Sequence, residues 1–207
     1  MEEIKIGSQI WMNSNLDVSI FNNGDPIDEI KSDEEWKSCS PILHGSSKPA
    51  SCHYNNSTNP LIPYGKLYNW HAVNDSRGLA PEGWRVATIE DWEKLFVFLG
   101  DNFYDKIMDG NYWRITNQNP GCLGKFLKIK LPEKNLVNDS GLNILPSGYR
   151  DELGTFYGID SSANFWCANQ NEWVNEPFTL RIDPFRKIYE STYRKGEGRS
   201  VRCIKII

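Results

Sequence analysis

The chain has 207 residues, with 23 basic against 27 acidic side chains, a net charge of −4 and a pI near 5.5. That balance excludes a chain built to grip nucleic acid, whose phosphate contacts demand a basic excess, and it disfavours an anionic membrane surface. Hydrophobic and charged fractions of 39% and 24% are those of one folded domain over 1–207, and 8 Trp, 9 Tyr and 9 Phe beside 16 Gly and 11 Pro point to a loop-rich core.

The opening IKIGSQIWM sets Ile4, Ile6, Ile10 and Met12 around Gly7-Ser8, the pattern of a short β-hairpin. The amino terminus, MEEIKIGSQIWM, carries acids where a secretory signal has basic residues and lacks the apolar run that follows them. No window approaches the roughly 18 uninterrupted apolar residues of a membrane span. From Asn22 to Pro63 the chain is rich in Asn, Ser, Pro and Gly, but Ser32-Asp33-Glu34-Glu35 spaces a capping box for a short helix. Trp36, Cys39, Cys52 and Tyr54 make this stretch an ordered loop region, since a solvating linker carries few such residues.

Thr88 opens the clearest helix. Its hydroxyl can cap the first free amides, Glu90 and Asp91 lie at the positive end of the helix dipole, and Trp92, Leu95, Phe96 and Leu99 form one apolar stripe before Gly100. A Gly/Asn-rich middle from Asp101 to Ser140 predicts only short helical or extended pieces. In Phe178–Asp183 apolar residues alternate with polar ones, a half-buried strand with Thr179, Arg181 and Asp183 outward. SVRCIKII from Ser200 reads as a final apolar strand. Without βαβ alternation, the class is α+β.

Catalytic spacings are missing: there is no G-x-S-x-G, H-E-x-x-H, G-x-x-x-x-G-K or G-x-G-x-x-G. The expectation is a non-enzyme with no cofactor and no metal centre. Cys39, His44, Cys52 and His53 match no common zinc spacing; a local Cys39–Cys52 disulfide and packed or surface residues are the other readings. The acid pairs Asp151/Glu152 and Glu172/Glu176 read as solvated surface, and Asn175-Glu176-Pro177 with Glu172 is the nearest approach to a calcium-type oxygen cluster. More informative is the last third, where Trp166, Trp173, Tyr189 and Tyr193 interleave with Asn169, Asn171, Arg181, Arg186 and Arg194. Flat apolar faces among multi-point hydrogen-bonding groups suit a glycan or a protein epitope. Phe165 and Trp166 are expected in the core, with Trp173 and Tyr193 on a recognition surface. The candidate ligand residues are therefore Asn169, Asn171, Trp173, Arg181, Arg186, Tyr189, Tyr193 and Arg194.

The strings IGSQIWMNSNL, FNNGDPIDEIKSDEEW, PYGKLYNWHAV, GLAPEGWRVATIEDWEKL, GLNILPSGYRDELGTFYGIDSSANFWCA and GRSVRCIK, in this order from Ile4 to Lys205, resemble the Fibrobacter succinogenes major paralogous domain. The resemblance implies a C-type-lectin-like fold with paired first and last strands, helices near Ser32 and Thr88, and a loop-rich β region presenting a ligand face. It also implies an extracellular or cell-surface setting in Bacteroidetes-type bacteria; without a signal-like amino terminus, a cytoplasmic one stays open. In relatives diversified by retroelements the variable residues fall in the interval that is Cys167–Arg199 here, which holds the aromatic/Asn/Arg set. Ala80 stands where the family has a cysteine, which implies that Cys52 lacks its usual partner and that Cys39 replaces it. Competing expectations are a homo- or hetero-assembly domain of a surface appendage and, more remotely, an oxidase resembling the formylglycine-generating enzymes, for which Cys203 would be the relevant thiol.

Overall fold

The computed structural model describes residues 2–40, 47–57, 64–99, 106–109, 112–115, 141–173, 175–182 and 188–206; of residues 106–109, 112–115 and 189 it describes the backbone. Gly100, Asp183 and Arg186 fall outside these residues, as do His44 and Cys122. The described fold is α+β, mostly strand with few helices.

Glu3–Ile6 (β1) and Gln9–Met12 (β2) form the expected hairpin. Its turn needs Gly7, which sits at φ +61° where a side-chain carbon would meet the Phe98 ring at 2.8 Å. Asp33–Ser38 (α1) starts where the Ser32 side chain accepts from the Glu35 amide. Ser51–Cys52 (β3) pairs with Leu67–Tyr68 (β4), and Trp70–Val73 (α2) follows, capped by Asn69. Trp84–Val86 (β5) leads into Ile89–Phe98 (α3), where Thr88 and Asp91 complete a capping box. Lys106–Asp109 (β6) and Tyr112–Ile115 (β7) are extended pieces of the Gly/Asn-rich middle. The remaining strands are Ser147–Arg150 (β8), Phe156–Ile159 (β9), Ala163–Asn171 (β10), Glu176–Ile182 (β11), Ile188–Thr192 (β12) and Cys203–Lys205 (β13).

Two larger sheets result. The smaller runs β1-β2-β13-β5, so the hairpin's second strand, not its first, takes the closing strand as neighbour, with Ile204 opposite Trp11. The larger runs β6-β7-β12-β11-β10-β8-β9, antiparallel except where β8 meets β10. The α3 stripe packs on one face of the larger sheet: Trp92, Leu95 and Phe96 are fully buried against Trp11, Phe165, Leu180, Ile182 and Ile188. Ring centroids of Trp92 lie 4.8 Å from Trp11 and 5.1 Å from Phe165. A second cluster, around Phe21, Tyr68, Trp70, Trp166 and Val201, covers part of the opposite face. A third, smaller cluster gathers Ile30, Trp36, Cys39, Cys52 and Leu67.

The closing segment stitches these parts together. Gly198 bridges to Arg150, Arg199 to Tyr68, Ser200 to Phe165, and Val201 accepts from the Leu16 amide. Arg202 then accepts from the Ala87 amide before β13 pairs with β5 and β2.

Several expectations are corrected. Thr179 is buried, not outward: it lies opposite Trp166 on the covered face, and its hydroxyl donates to the Ser191 carbonyl at 3.2 Å. Glu152 is also buried, because the turn at 194–198 and the end of α1 fold over it. Cys39 and Cys52 are free thiols. The Cys39 thiol donates to the Glu35 carbonyl, while burial pushes Cys52 up to about 12 against the pull of the neighbouring Arg150. Ala80 belongs to the second cluster and Cys52 to the third.

The α3 cap carries a pH signature. Burial opposes ionisation of Asp91, but Arg85, paired with it, and the Thr88 amide outweigh burial and hold its carboxyl below the ordinary 3.8. A depressed carboxyl stabilises the fold above its unfolded value, and that contribution is lost as pH falls through the folded value. Asp91→Asn should cost about 1 kcal/mol near neutrality, with the gap to wild type closing below pH 3.8 in urea titrations.

Candidate functional site

The structure divides the residues singled out from the sequence between two places. The first is the β10–β11 hairpin tip. Asn169 serves as a clamp there: its carbonyl oxygen accepts from the Ile89 amide at 3.1 Å and its nitrogen donates to Glu90, tying β10 to the start of α3. Asn171 accepts from the Trp173 amide at 2.9 Å, an Asx turn. The Asn175 amide closes the turn onto the Asn171 carbonyl at 2.8 Å, and Lys195 donates to the Asn175 side chain. Trp173 projects from this braced turn at 96% relative exposure.

The second place is the face of the larger sheet turned away from α3, and there the register makes a row. Tyr157 on β9 is opposite Tyr149 on β8. Because Gly148 pairs with Ala163, Tyr149 falls beside Asn164 on β10. Asn164 is opposite Arg181 on β11, Arg181 opposite Tyr189 on β12, and Tyr189 opposite Arg114 on β7. Six strands about 4.8 Å apart give a row roughly 24 Å long. Asn164 lies seven residues before Asn171, so Trp173 sits roughly 20 Å away along the strands.

Arg199 organises one end of the row. It is buried, donates to Asn164 at 3.3 Å and to Glu197 at 2.6 Å, and its guanidinium stacks over Tyr193 at 4.0 Å and Tyr149 at 5.0 Å. Tyr149 in turn stacks on Tyr157, with ring centroids 5.5 Å apart and planes 28° from parallel. Tyr157 is half-exposed, Tyr149 less so, and Arg181 is exposed. Burial pushes the Tyr149 phenol up, while the charges of Arg199 and Arg181 pull it down, so both guanidinium groups act on that ring. Burial likewise raises the Glu197 carboxyl against the pull of Arg199.

Of the chosen residues, Arg181 lies on this face and the register brings Tyr189 beside it. Tyr193 is half-buried, packed between Arg199 and the second cluster, rather than a free surface ring. Arg194 pairs with Glu152 at the edge of the same corner. Arg186 lies outside the described residues. Tyr149, Tyr157, Arg199 and Glu197 were not singled out from the sequence, although Tyr-Arg-Asp-Glu-Leu-Gly-Thr-Phe-Tyr has the aromatic ends and central glycine of a hairpin with paired rings.

Other candidate chemistry is accounted for structurally. Among the described residues no three His, Cys, Asp or Glu side chains gather as a metal site. His53 lies between Asp17 and Glu29, at 3.4 and 3.9 Å. Burial drives the Cys203 thiol up to about 12, the state of an unreactive thiol. Glu176 accepts from the Thr192 hydroxyl. No described helix is long and apolar enough to cross a membrane.

A family model described as the Fibrobacter succinogenes major domain matches residues 4–205. Comparison with curated proteins and with solved structures finds no match.

Proposed function

The chain belongs to the Fibrobacter succinogenes major domain family, and on that premise we propose that it is a non-catalytic recognition module. It binds a glycan or protein partner through the β10–β11 tip and the exposed face of β11, outside the cell or at its surface. The observation that carries this reading is Trp173, 96% exposed on a turn braced by Asn171, Asn175 and Lys195. Leaving an indole in water forgoes roughly 1.5–3 kcal/mol of burial. Holding it rigidly there reduces the ordering cost when a partner covers it. A C-type-lectin-like topology belongs to the same proposal, supported by the pairing of β2 with β13 and by helices α1 and α3 at the expected places.

Wild type and Trp173→Ala should be run side by side on a glycan array and in a pull-down against surface proteins. A central aromatic anchor is worth about thirtyfold or more in affinity, and because Trp173 is exposed its removal should shift stability by under about 0.5 kcal/mol. Equal capture by the two proteins would overturn the reading. Obligate self-association that Trp173→Ala abolishes would move the tip from ligand binding to assembly.

A further inference from the structure

We propose that the β10–β11 tip receives an arginine of a basic protein segment, its guanidinium laid on the Trp173 indole and drawn to the Glu172 carboxylate. The proposal rests on the recognition reading and names the partner class for the tip.

The fold already holds arginine in this way at three places among the described residues. Arg77 lies 4.1 Å from the Phe21 ring centroid and pairs with Asp75 at 2.9 Å. Arg150 lies 4.6 Å from Trp36 and pairs with Asp33 at 2.9 Å. Arg199 lies 4.0 Å from Tyr193 and donates to Glu197 at 2.6 Å. In each, a ring face meets the flat cation and a carboxylate takes its N–H donors, two attractions that one planar guanidinium satisfies together. Trp173 and Glu172 are the same two groups, adjacent in the turn and both exposed, and among the described residues no arginine occupies them. An indole is the strongest of the aromatic faces for a cation.

The surroundings favour a cation over the other occupants. Asn169 is engaged with Ile89 and Glu90, Asn171 with the Trp173 amide, and Asn175 with Lys195. The amides that could read sugar hydroxyls thus brace the turn instead. Apart from Trp173, the described residues from Gln170 to Glu176 are all polar, so an apolar partner finds no rim to exclude water. Arg194 is paired with Glu152, which leaves Lys195 against Glu90, Glu172 and Glu176 around the tip. This acidic excess, on a chain of net charge −4, draws a basic segment in and repels an acidic one.

The test is NMR titration of the whole chain with hexaarginine, hexalysine, hexaglutamate and a neutral hexasaccharide, read at the Trp173 indole N–H and at the backbone amides of the turn. Hexaarginine should shift these signals saturably at millimolar concentration or below, and binding should weaken as salt is raised. Hexalysine, whose ammonium cannot stack flat, should bind about threefold more weakly. Trp173→Leu keeps apolar bulk but removes the ring face, and should weaken hexaarginine about fivefold at the turn amides. Glu172→Gln should weaken it about threefold. No saturable shift with hexaarginine would overturn the proposal, as would equal or tighter binding of hexalysine, hexaglutamate or the sugar at Trp173. Indifference to Trp173→Leu and Glu172→Gln would overturn it too. If hexaarginine fails but Trp173→Ala abolishes capture in the screens above, the recognition reading stands and only the arginine assignment falls.

Discussion

Arg202→Met should lower the free energy of unfolding by about 3–5 kcal/mol, the range for breaking a buried charged network. Arg202 is wholly buried and donates to four acceptors: the carbonyls of Met12, Leu142 and Asn143, and the Asn15 side chain, at 2.7–3.2 Å. None of the four is a carboxylate, and burial pushes the guanidinium down to about 9, still above physiological pH, so the charge is retained. Met fills similar space but leaves those acceptors without a donor, each worth about 1–3 kcal/mol when buried. Arg202→Lys restores a charge but not the planar fork, and should recover less than half of the loss. Urea denaturation reads both variants, and the melting temperature of Arg202→Met should fall by roughly 10 °C. A loss under about 1 kcal/mol would mean that solvent reaches these carbonyls once the guanidinium is gone.

Arg150→Met should cost about 3–4 kcal/mol by the same logic, but with a local signature. Arg150 donates to the Ile30, Ser32 and Gly154 carbonyls and to Asp33, and its guanidinium lies 4.6 Å from the Trp36 ring and 4.7 Å from Phe156. It therefore fastens the approach to α1 onto the β8–β9 hairpin. Met keeps apolar contact with the two rings, so the measured loss reports the polar network. Hydrogen exchange should speed up at the amides of α1 and the β8–β9 turn well before those of α3, which Arg150 does not touch. Asp33→Asn should lose far less, since Asp33 is half-exposed and supplies one bond of the network.

Local signals read well from the sequence. Thr88 with the Trp92–Leu99 stripe, Ser32 with Glu35, and Gly7-Ser8 between alternating apolar residues each lie within one short window, and each forms the expected element. What was illegible depends on segments distant in sequence. Thr179 follows a period-two pattern that presumes water on one face, but Trp166 and the 191–201 stretch cover that face. Ser-Val-Arg-Cys reads as an apolar strand, yet Arg202 inside it and Arg199 just before it are buried because their acceptors come from residues 12–15, 142–143, 164 and 197. The candidate site divides in the same way. Asn171 and Trp173 form one local turn, and Arg181 and Tyr189 face one another across a single hairpin. Tyr149 and Tyr157 join the row only through the parallel pairing of β8 with β10, which no local window reveals. Asn169 and Arg194 have the composition of ligand contacts, but α3 and Glu152 already engage them.

The stitching by residues 198–205 also sets an order in time. Those residues bridge to positions near 150, 68, 165, 16, 86 and 11, so much of the hydrogen bonding that joins the parts of the fold forms when this stretch is in place. On a ribosome, α3 and the first hairpin can form early, but α3 must wait for Phe165, Leu180, Ile182 and Ile188, and β2 must wait for β13 near the end of the chain. Such long-range pairing belongs to the slow end of folding, milliseconds to seconds. During that wait the Trp-rich faces of the sheets stay open to chaperones and to aggregation. A ribosome stalled with residues 198–205 still in its exit tunnel would display the α3 core without the closing strand, and one stalled with them outside would display a domain more resistant to protease.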